Sequence, residues 1–370
     1  MKIAYLVGEN LSKHPGLKHK IETQIHYWRS AGHDVYQIHH HNGVVIDPDG
    51  KEQQYLVHAN DTASKWQRLS RLAKQYHFVA RQLEEIKPDL TYSRYLFPAK
   101  NLSKIRQHAG RLILEVNSDD RAEYLQKSVL TGVVNTLFRH RVLAKADGLV
   151  FVTGELRDKS AFSGLTPHRC VIGNGVEVDS FEFLSRTGNS LPQLVFIGSP
   201  GQSWHGLDKV GLLASYFPEW TFNIIGPNKE ECLKQWRAEP ENIIFHGYLS
   251  NLDAQRVVKN MDVGISTLAL HRKSMQEACP LKLRQYLAQG IPVLAASEDP
   301  DIESEQVFYF RIANTEHNVT SSIDAIRTFV GNVFANSDIR TSARRYAEEH
   351  LAASEKEAKR LKFFERVLAL

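Results

Sequence analysis

Short apolar segments alternate with amphipathic segments along the chain. The first, residues 2–8, predicts a buried strand, and residues 18–32 predict a helix that places Ile21, Ile25 and Trp28 on one stripe. Four more strands are predicted in this half, at residues 34–40, 89–96, 111–117 and 148–153. Helical regions separate them, one of them at residues 62–86. The alternation is typical of a parallel sheet covered by helices on both faces.

The alternation stops at residues 170–192, which are polar and rich in turn-forming residues and predict a linker. It then restarts with five predicted strands separated by helices: residues 193–199, 221–226, 242–248, 262–268 and 291–297. Residues 339–370 are charged and helical. Two similar halves predict an α/β protein of two doubly wound domains facing a cleft, with ligands bound beyond the carboxyl ends of the strands.

Composition narrows the class of protein. A chain of 370 residues with 42% hydrophobic residues is long enough for about two domains. The net charge of +4 has no concentrated basic face, which argues against a nucleic-acid-binding protein but leaves local affinity for anionic lipid headgroups open. The three cysteines are odd in number and far apart, and no apolar run has the length of a membrane span or a signal peptide. We therefore expect a soluble, cytoplasmic protein.

The segment EACPLKLRQYLAQGIPVLA, residues 277–295, predicts a helix that starts at Pro280 and leads into a strand. Lys282 and Arg284 lie in its first turns, where the helix dipole disfavours cations unless an anion binds there. Glu277 and Gln285 flank this position and are able to bond hydroxyls, so the segment suits a nucleotide sugar. The alternative is that both cations are solvated and Glu277 lies in a surface loop.

Several segments together resemble the retaining glycosyltransferases of family 4. Glu277 and Gln285 stand where that family has its E-x7-E signature, ahead of a G-x-P-V strand. Further similar segments occur in the family's order: AGHDVYQI, VIGNGVEV, FIGSPGQSWHGLDKVGLL and FHGYLSNLDAQRVVKNMDVGIS. The resemblance implies the GT-B fold, with two Rossmann-like domains and the active site between them. It also implies catalysis without a metal and no cofactor beyond the nucleotide-sugar donor.

The resemblance also implies domain roles. Residues 1–173 would form the acceptor-binding domain, and residues 174–349 would bind the donor. The C-terminal helix, about residues 350–370, would pack back on the first domain. Glu277 would bind hydroxyls of the donor sugar, and Gln285 would hold the nucleotide ribose, without the charge assistance of the family's usual Glu. The remaining donor-binding residues would be Leu281, Leu283, Ser199, Gly226 and Gly247.

The phosphate clamp departs from the family's pattern. In WHGLDK, His205 stands in place of the family's Lys, and Ser199 falls where the family has Arg. A protonated His205 would bind the diphosphate, with Lys282 supplying the missing positive charge. The alternative is that His205 caps the next helix or packs on Trp204.

A polar cluster follows the predicted strand at residues 111–117. It holds Glu115, Asn117, Asp119 and Asp120. We expect Asn117 to line the cleft where many family members have a His that contacts the donor sugar. A capping box from Asp120 to Glu123 explains the acids better than a metal site does.

The first loop offers acceptor-side candidates. Gly8 ends the first strand, and Gly16 is predicted to precede the helix. Lys13, Lys18 and Lys20 would meet an anionic acceptor such as a lipid-linked pyrophosphate. Solvated lysines at a helix start are an equal alternative.

Other candidates are weaker. Arg94 either points into the cleft or pairs with Glu115. His39, His40 and His41 are adjacent in a strand, so their side chains alternate between faces and do not form a metal site.

The sequence thus predicts a retaining glycosyltransferase that moves a sugar from a nucleotide-diphosphate sugar to a glycan or lipid-linked acceptor. Glu277, Lys282, His205 and Asn117 are its expected catalytic residues, and Gly16, Lys18 and Arg94 face the acceptor. Two alternatives remain open: a GT-B sugar-nucleotide epimerase, and a non-catalytic nucleotide or sugar binder or partner subunit. The basic tail KEAKRLKFFERVLAL suggests peripheral membrane contact, although core packing is the better explanation of its apolar positions.

Overall fold

The computed structural model describes residues 1–55, 65–165, 168–199, 201–236, 239–303 and 306–370, with backbone alone for residues 13, 65–69, 122, 126 and 127. The chain divides into two compact units. The first unit comprises Met1–Ile172 and Glu357–Leu370, and the second comprises Gly173–Lys356.

The first unit is built on an eight-stranded sheet in the order β4-β3-β2-β1-β5-β6-β7-β8. Its strands are β1 (Lys2–Val7), β2 (Asp34–His39), β3 (Val44–Ile46), β4 (Glu52–Gln54), β5 (Leu90–Arg94), β6 (Arg111–Val116), β7 (Gly148–Phe151) and β8 (Arg169–Val171). Six neighbouring strands run parallel: β2, β1, β5, β6, β7 and β8. Strands β3 and β4 add an antiparallel edge beside β2. The central strands are buried on both faces, as their continuous apolar sequences predict.

The helices of this unit are α1 (Pro15–Ser30), α2 (Lys65–Ile86), α3 (Leu102–His108), α4 (Asp120–Lys127), α5 (Val129–Leu143) and α6 (Gly154–Asp158). An aromatic core of Tyr5, Trp28, Tyr92 and Phe364 has ring centres 5.1–5.5 Å apart. Phe364 comes from the C-terminal helix, whose apolar stripe is buried in this core. The tail therefore uses its apolar positions for packing rather than for a membrane.

The second unit is built on a six-stranded parallel sheet in the order β11-β10-β9-β12-β13-β14. Its strands are β9 (Gln193–Ile197), β10 (Thr221–Ile225), β11 (Ile243–Gly247), β12 (Val263–Ile265), β13 (Val293–Ala295) and β14 (Tyr309–Arg311). The helices are α7 (Leu207–Tyr216), α8 (Lys229–Leu233), α9 (Asn251–Val258), α10 (Leu281–Ala288), α11 (Ile323–Ala335), α12 (Asp338–His350) and α13 (Ala353–Leu368), the last continuing into the first unit. Two apolar cores, around Phe196 and around Tyr286, fill the helical layers.

The predicted fold class is confirmed, and three details differ. Strands β3, β4, β8 and β14 were not predicted, and each has only three residues. The predicted linker at 170–192 is no free linker, since Val176, Val178 and Phe181 are buried in the second unit's core. The helix predicted at 62–86 is seen from Lys65, and residues 62–64 lie outside the described residues.

Candidate functional site

Lys282 is a buried cation at the carboxyl end of β9. It lies in the first turn of α10 and is 8% exposed. Its Nζ donates to the Ile197 carbonyl at 3.0 Å and lies 4.2 Å from the centre of the Phe196 ring. Burial lowers the pKa of Lys282 from 10.5 to about 7, and no carboxylate of the described residues offsets this. The site therefore holds an ammonium group whose charge lacks a counterion.

Arg284, two residues on, has a different role. It is fully buried, pairs with Asp299 and Asp301, and donates from Nε to the Asn174 carbonyl at 3.1 Å. These partners fix α10 to the segment after β13, which orients the first turn that carries Lys282. The alternative of two solvated cations is therefore wrong, because both side chains are buried. Pro280 is the N-cap of α10 rather than its first residue.

His205 lies beside Lys282 and is neutral. Its ring is edge-on to Phe196 and Trp204, with centres 6.1 and 5.6 Å away. Burial, together with the charges of Lys282 and Lys273, lowers the pKa of His205 to about 2. A protonated His205 would add a third positive charge beside two lysines, so the structure favours its neutral form, and the predicted contact with a diphosphate stays a prediction. His205 also does not cap α7, whose N-cap is Gly206 without a side-chain bond; packing on Trp204 is what the structure shows.

Lys273 is a cation that the sequence reasoning missed. Its Nζ stands 3.0 Å from the centre of the Trp204 ring. The signal was present in the HRK sequence at residues 271–273, which follows the strand that ends at Ile265. Together with Lys282 it makes this strand edge cationic.

Glycines at two strand ends bring the backbone together near Lys282. Gly226, with φ of 103°, follows β10, and a Cβ there would lie 2.0 Å from the Gly198 carbonyl oxygen. A Cβ at Gly198 would lie 2.5 Å from the Phe196 ring. Only glycine allows this approach, which leaves a backbone-lined edge beside the ammonium group.

The remaining predicted donor residues surround this edge at different depths. Glu277 is half-buried and forms an isolated parallel bridge with Glu298, which holds its loop beyond β12 and β13. Leu281 and Gln285 are half-buried on α10, and Ser199 is exposed after β9. One residue does not fit the predicted role. The Leu283 side chain is 0% exposed and belongs to the core, so it is not available to a ligand. Gly247 ends the edge strand β11, and its carbonyl accepts from the Gly226 amide at 2.8 Å, so its donor-binding role stays a prediction.

The first unit contains a cavity of about 720 Å³ at the carboxyl ends of β1, β5 and β6. Its walls include aromatic and aliphatic side chains, among them Tyr76, Phe97 and Tyr124. Polar side chains line the rest, among them Glu9, Arg94 and Asn117. Such a mixture of apolar walls and convergent polar groups is typical of a small-molecule site.

Glu115 forms the polar floor of this cavity. Lys20 Nζ donates to its Oε1 at 2.6 Å, and the Tyr92 hydroxyl donates to its Oε2 at 2.6 Å. Arg360 Nη1 lies 3.4 Å from Oε2. Burial alone would raise the pKa of Glu115, but the charges of Lys20 and Arg360 hold it well below its usual range. Asn117 donates to Glu115 at 2.9 Å, so the carboxylate orients this amide in the cavity wall.

Three acceptor-side predictions are placed as follows. Arg94 lines the cavity and forms an ion pair with Glu9, not with Glu115. Lys18 is exposed, and its Nζ lies 3.6 Å from Glu22, which agrees with the alternative of a solvated lysine. Lys20 is buried against Glu115 and is not available to an acceptor. Gly16 is the second residue of α1 rather than a residue before it. The side chain of Lys13 lies outside the described residues.

The acidic residues after β6 have structural roles, but they do not form the predicted capping box between Asp120 and Glu123. Asp119 caps α4 by accepting from the Arg121 amide at 3.1 Å. Asp120 is buried and pairs with Arg139 at 2.7 Å, and Glu123 accepts from the Ser118 hydroxyl at 2.5 Å. Within the described ranges no group of three or more His, Cys, Asp or Glu side chains is placed to hold a metal ion, and the His39 and His41 rings stand 6.2 Å apart.

The overall fold is similar to solved GT-B enzymes. Sucrose-phosphate synthase from Thermosynechococcus elongatus aligns with a TM-score of 0.74 at 11% identity, covering 100% of this chain and 99% of that one. A glycosyltransferase from Rickettsia africae aligns with a TM-score of 0.66 at 13% identity, over 99% and 98%. HepE of Anabaena, solved in complex with UDP and glucose, aligns with a TM-score of 0.66 at 16% identity, over 99% and 100%. The chain therefore has the α/β fold of the GT-B glycosyltransferases.

A sequence comparison points to the same class. Residues 192–332 match the family described as Glycosyl transferases group 1, and this segment contains His205, Glu277 and Lys282. No curated protein matches the sequence of the chain. The family match and the shared fold together support a glycosyltransferase. Among the described helices, none is both long and apolar enough to cross a membrane.

Proposed function

We propose that the protein is a retaining glycosyltransferase that moves a sugar from a nucleotide-diphosphate sugar to a glycan or lipid-linked acceptor. The second unit holds the donor and the first unit binds the acceptor in its cavity. The protein works in the cytoplasm in the synthesis of cell-surface polysaccharide, at the inner face of the membrane. The family match to residues 192–332 and the UDP complex of the structurally similar HepE support this class of donor.

One observation carries the proposal: a buried ammonium group at a strand edge without a counterion. Lys282 is held by a carbonyl and an aromatic ring, and burial lowers its pKa to about 7. A diphosphate bound there supplies the missing negative charge and stabilises the charged form of Lys282. In a site without bulk water this attraction is strong, and it grows as the leaving diphosphate gains charge.

The other donor contacts follow from position. Glu277 and Gln285 flank the Lys282 turn and accept hydrogen bonds from sugar and ribose hydroxyls. Lys273 and Lys282 supply the positive charge that a metal ion would otherwise supply, so we expect transfer without a metal. His205, being neutral, donates or accepts a hydrogen bond and adds no charge.

Thermal unfolding with a panel of UDP-, GDP-, ADP-, CMP- and dTDP-sugars tests the donor site. We expect one nucleotide class to raise the midpoint temperature of the wild type, because a ligand specific to the folded state stabilises it. Lys282→Ala should lose this shift. The matched control is Lys104→Ala, an exposed lysine of α3, which should keep it. A shift that survives Lys282→Ala would refute the assignment of the phosphate site.

Turnover separates the proposal from its alternatives. A transferase releases nucleoside diphosphate in step with acceptor glycosylation, and product analysis shows an unchanged anomeric configuration. An epimerase would change the donor without any acceptor, and a non-catalytic binder would show the thermal shift without turnover.

A further inference from the structure

Helix α5 of the first unit exposes five large apolar residues and buries two polar ones, Asn135 and Arg139. Along its sequence Val129, Val133 and Leu137 recur every fourth residue, with Leu130 and Phe138 beside them. All five are exposed in the part of the chain that the structure describes, Val129 by 74% and Leu137 by 68%. These five residues are called the α5 apolar face. A helix that packs normally on its own domain has the opposite arrangement.

The inner face of α5 explains why the helix is held this way round. Asn135 and Arg139 are buried there and both bond the carboxylate of Asp120, with distances of 2.6 to 2.8 Å. Gly132 lets α4 approach closely, since a Cβ there would lie 2.4 Å from the Leu125 side chain. The buried ion pair therefore fixes the apolar residues toward the outside.

The charge of this region is uniformly positive. Residues 124–146 contain no Asp or Glu and four cations, Lys127, Arg139, Arg141 and Lys145. Arg139 is buried and paired with Asp120, so three positive charges of this segment remain without that partner. Arg141 is exposed, and its guanidinium stands 5.1 Å from the centre of the Phe138 ring at the edge of the apolar face. Exposed aliphatic residues bordered by cations without acids complement an anionic lipid surface.

The same helix also forms a wall of the first unit's cavity. Leu130, Thr131 and Val134 line the cavity, so a surface bound to the α5 apolar face lies within about 10 Å, one helix diameter, of the cavity. A bilayer docked there would bring the cavity beside the lipid headgroups.

We propose that the α5 apolar face docks on the surface of a bilayer that contains anionic phospholipids. Val129, Val133 and Leu137 insert among the upper acyl chains, and Arg141 pairs with lipid phosphates. The inference names the surface through which the protein reaches the membrane of the proposed function, and it does not depend on sugar transfer.

Co-sedimentation of the full chain with vesicles tests this surface in the absence of any nucleotide sugar. We expect binding to phosphatidylcholine vesicles that contain phosphatidylglycerol, weaker binding at high salt, and much weaker binding to phosphatidylcholine alone. Leu137→Ser should lower the partition coefficient about tenfold, because it removes one inserted leucine. Arg141→Gln should lower it about fivefold on the anionic vesicles only.

The matched control is Leu252→Ser. Leu252 is a leucine of α9 in the second unit with 66% exposure, nearly that of Leu137, and its loss should leave partitioning unchanged. Since both side chains are exposed, both variants should unfold at the wild-type temperature and keep the nucleotide-induced thermal shift, which distinguishes a failure here from a failure of the donor site. The proposal would be overturned if the wild type did not bind the anionic vesicles, or if Leu137→Ser and Leu252→Ser lost binding equally. Analytical sedimentation without vesicles tests for a dimer. If Leu137→Ser dissociates a dimer and leaves vesicle binding unchanged, the proposal is likewise overturned, and the α5 apolar face binds a second copy of the chain.

Discussion

Replacing Lys282 with Met should stabilise the protein at neutral pH while abolishing donor binding. Met fills nearly the same volume against Phe196 but carries no charge that must be buried. Burial lowers the pKa of Lys282 from 10.5 to about 7. At about 1.4 kcal/mol per pKa unit, the charged form costs about 4 kcal/mol of folding free energy at pH 7. The lost hydrogen bond to the Ile197 carbonyl offsets about 1–2 kcal/mol of the gain, which leaves the variant about 2–3 kcal/mol more stable.

The pH dependence gives a sharper test, because it does not depend on packing in the variant. Between the folded pKa of about 7 and the unfolded value of 10.5, the unfolded chain binds more protons at this group than the folded chain does. The stability of the wild type relative to Lys282→Met therefore rises with pH in this window, by about 2 kcal/mol between pH 7 and pH 9. Below pH 7 the difference should level off, since the lysine is charged in both states.

The assay is urea unfolding of both proteins at a series of pH values, with the difference in unfolding free energy plotted against pH. Lys104→Met, at an exposed position of α3, is the control for removing a lysine from a solvated helix surface. A saturating nucleotide sugar should flatten the curve, because the bound diphosphate keeps Lys282 charged. A difference that stays constant from pH 7 to pH 9 without ligand would refute the argument that Lys282 is a desolvated cation.

Three further predictions concern the same sites. The affinity for the nucleotide sugar that raises the midpoint temperature, measured by calorimetry, should fall about tenfold per pH unit above about pH 7 as Lys282 loses its proton; His205→Gln should keep this profile, because His205 is neutral with a pKa of about 2, and a flat profile in that variant would contradict the assignment. Glu115→Gln should cost about 3–5 kcal/mol of stability, since it leaves buried Lys20 without a carboxylate and Arg360 with Glu357 alone, and a melting temperature equal to that of the wild type would disprove this. Arg284→Met should cost a similar amount by leaving buried Asp299 unpaired, and adding Asp299→Asn should restore part of the loss in thermal unfolding.

The layered architecture could be predicted from the sequence because it depends on local periodicity. Continuous apolar segments such as residues 111–116 are long enough to mark buried parallel strands, and the restart of the pattern at Gln193 marks a second sheet. Strands β3, β4, β8 and β14 have three residues each and emerge only from their pairing in the sheets.

The candidate site was only partly predictable. Lys282 and His205 each follow a predicted strand in the sequence, which predicted that both lie near one edge of the sheet. Both lie there. It gave no information on their charge, because a pKa depends on burial and on neighbours distant in sequence. Burial, together with the charges of Lys282 and Lys273, lowers the pKa of His205 and keeps it neutral, and neither lysine is near it in the chain.

The sequence by itself determined the alternation of strands and helices, the two-sheet architecture and the types of side chain at the strand ends, because these follow from short-range patterns and turn chemistry. Tertiary structure alone decided which cations are available to a ligand. Arg284 and Lys20 are neutralised by carboxylates 15 and 95 residues away, whereas Lys282 is buried with a carbonyl and a ring. It also decided that α5 turns Val129, Val133 and Leu137 outward, since the Arg139–Asp120 ion pair holds the opposite side of that helix inside. Both outcomes depend on contacts between distant residues, whose energies no local pattern records.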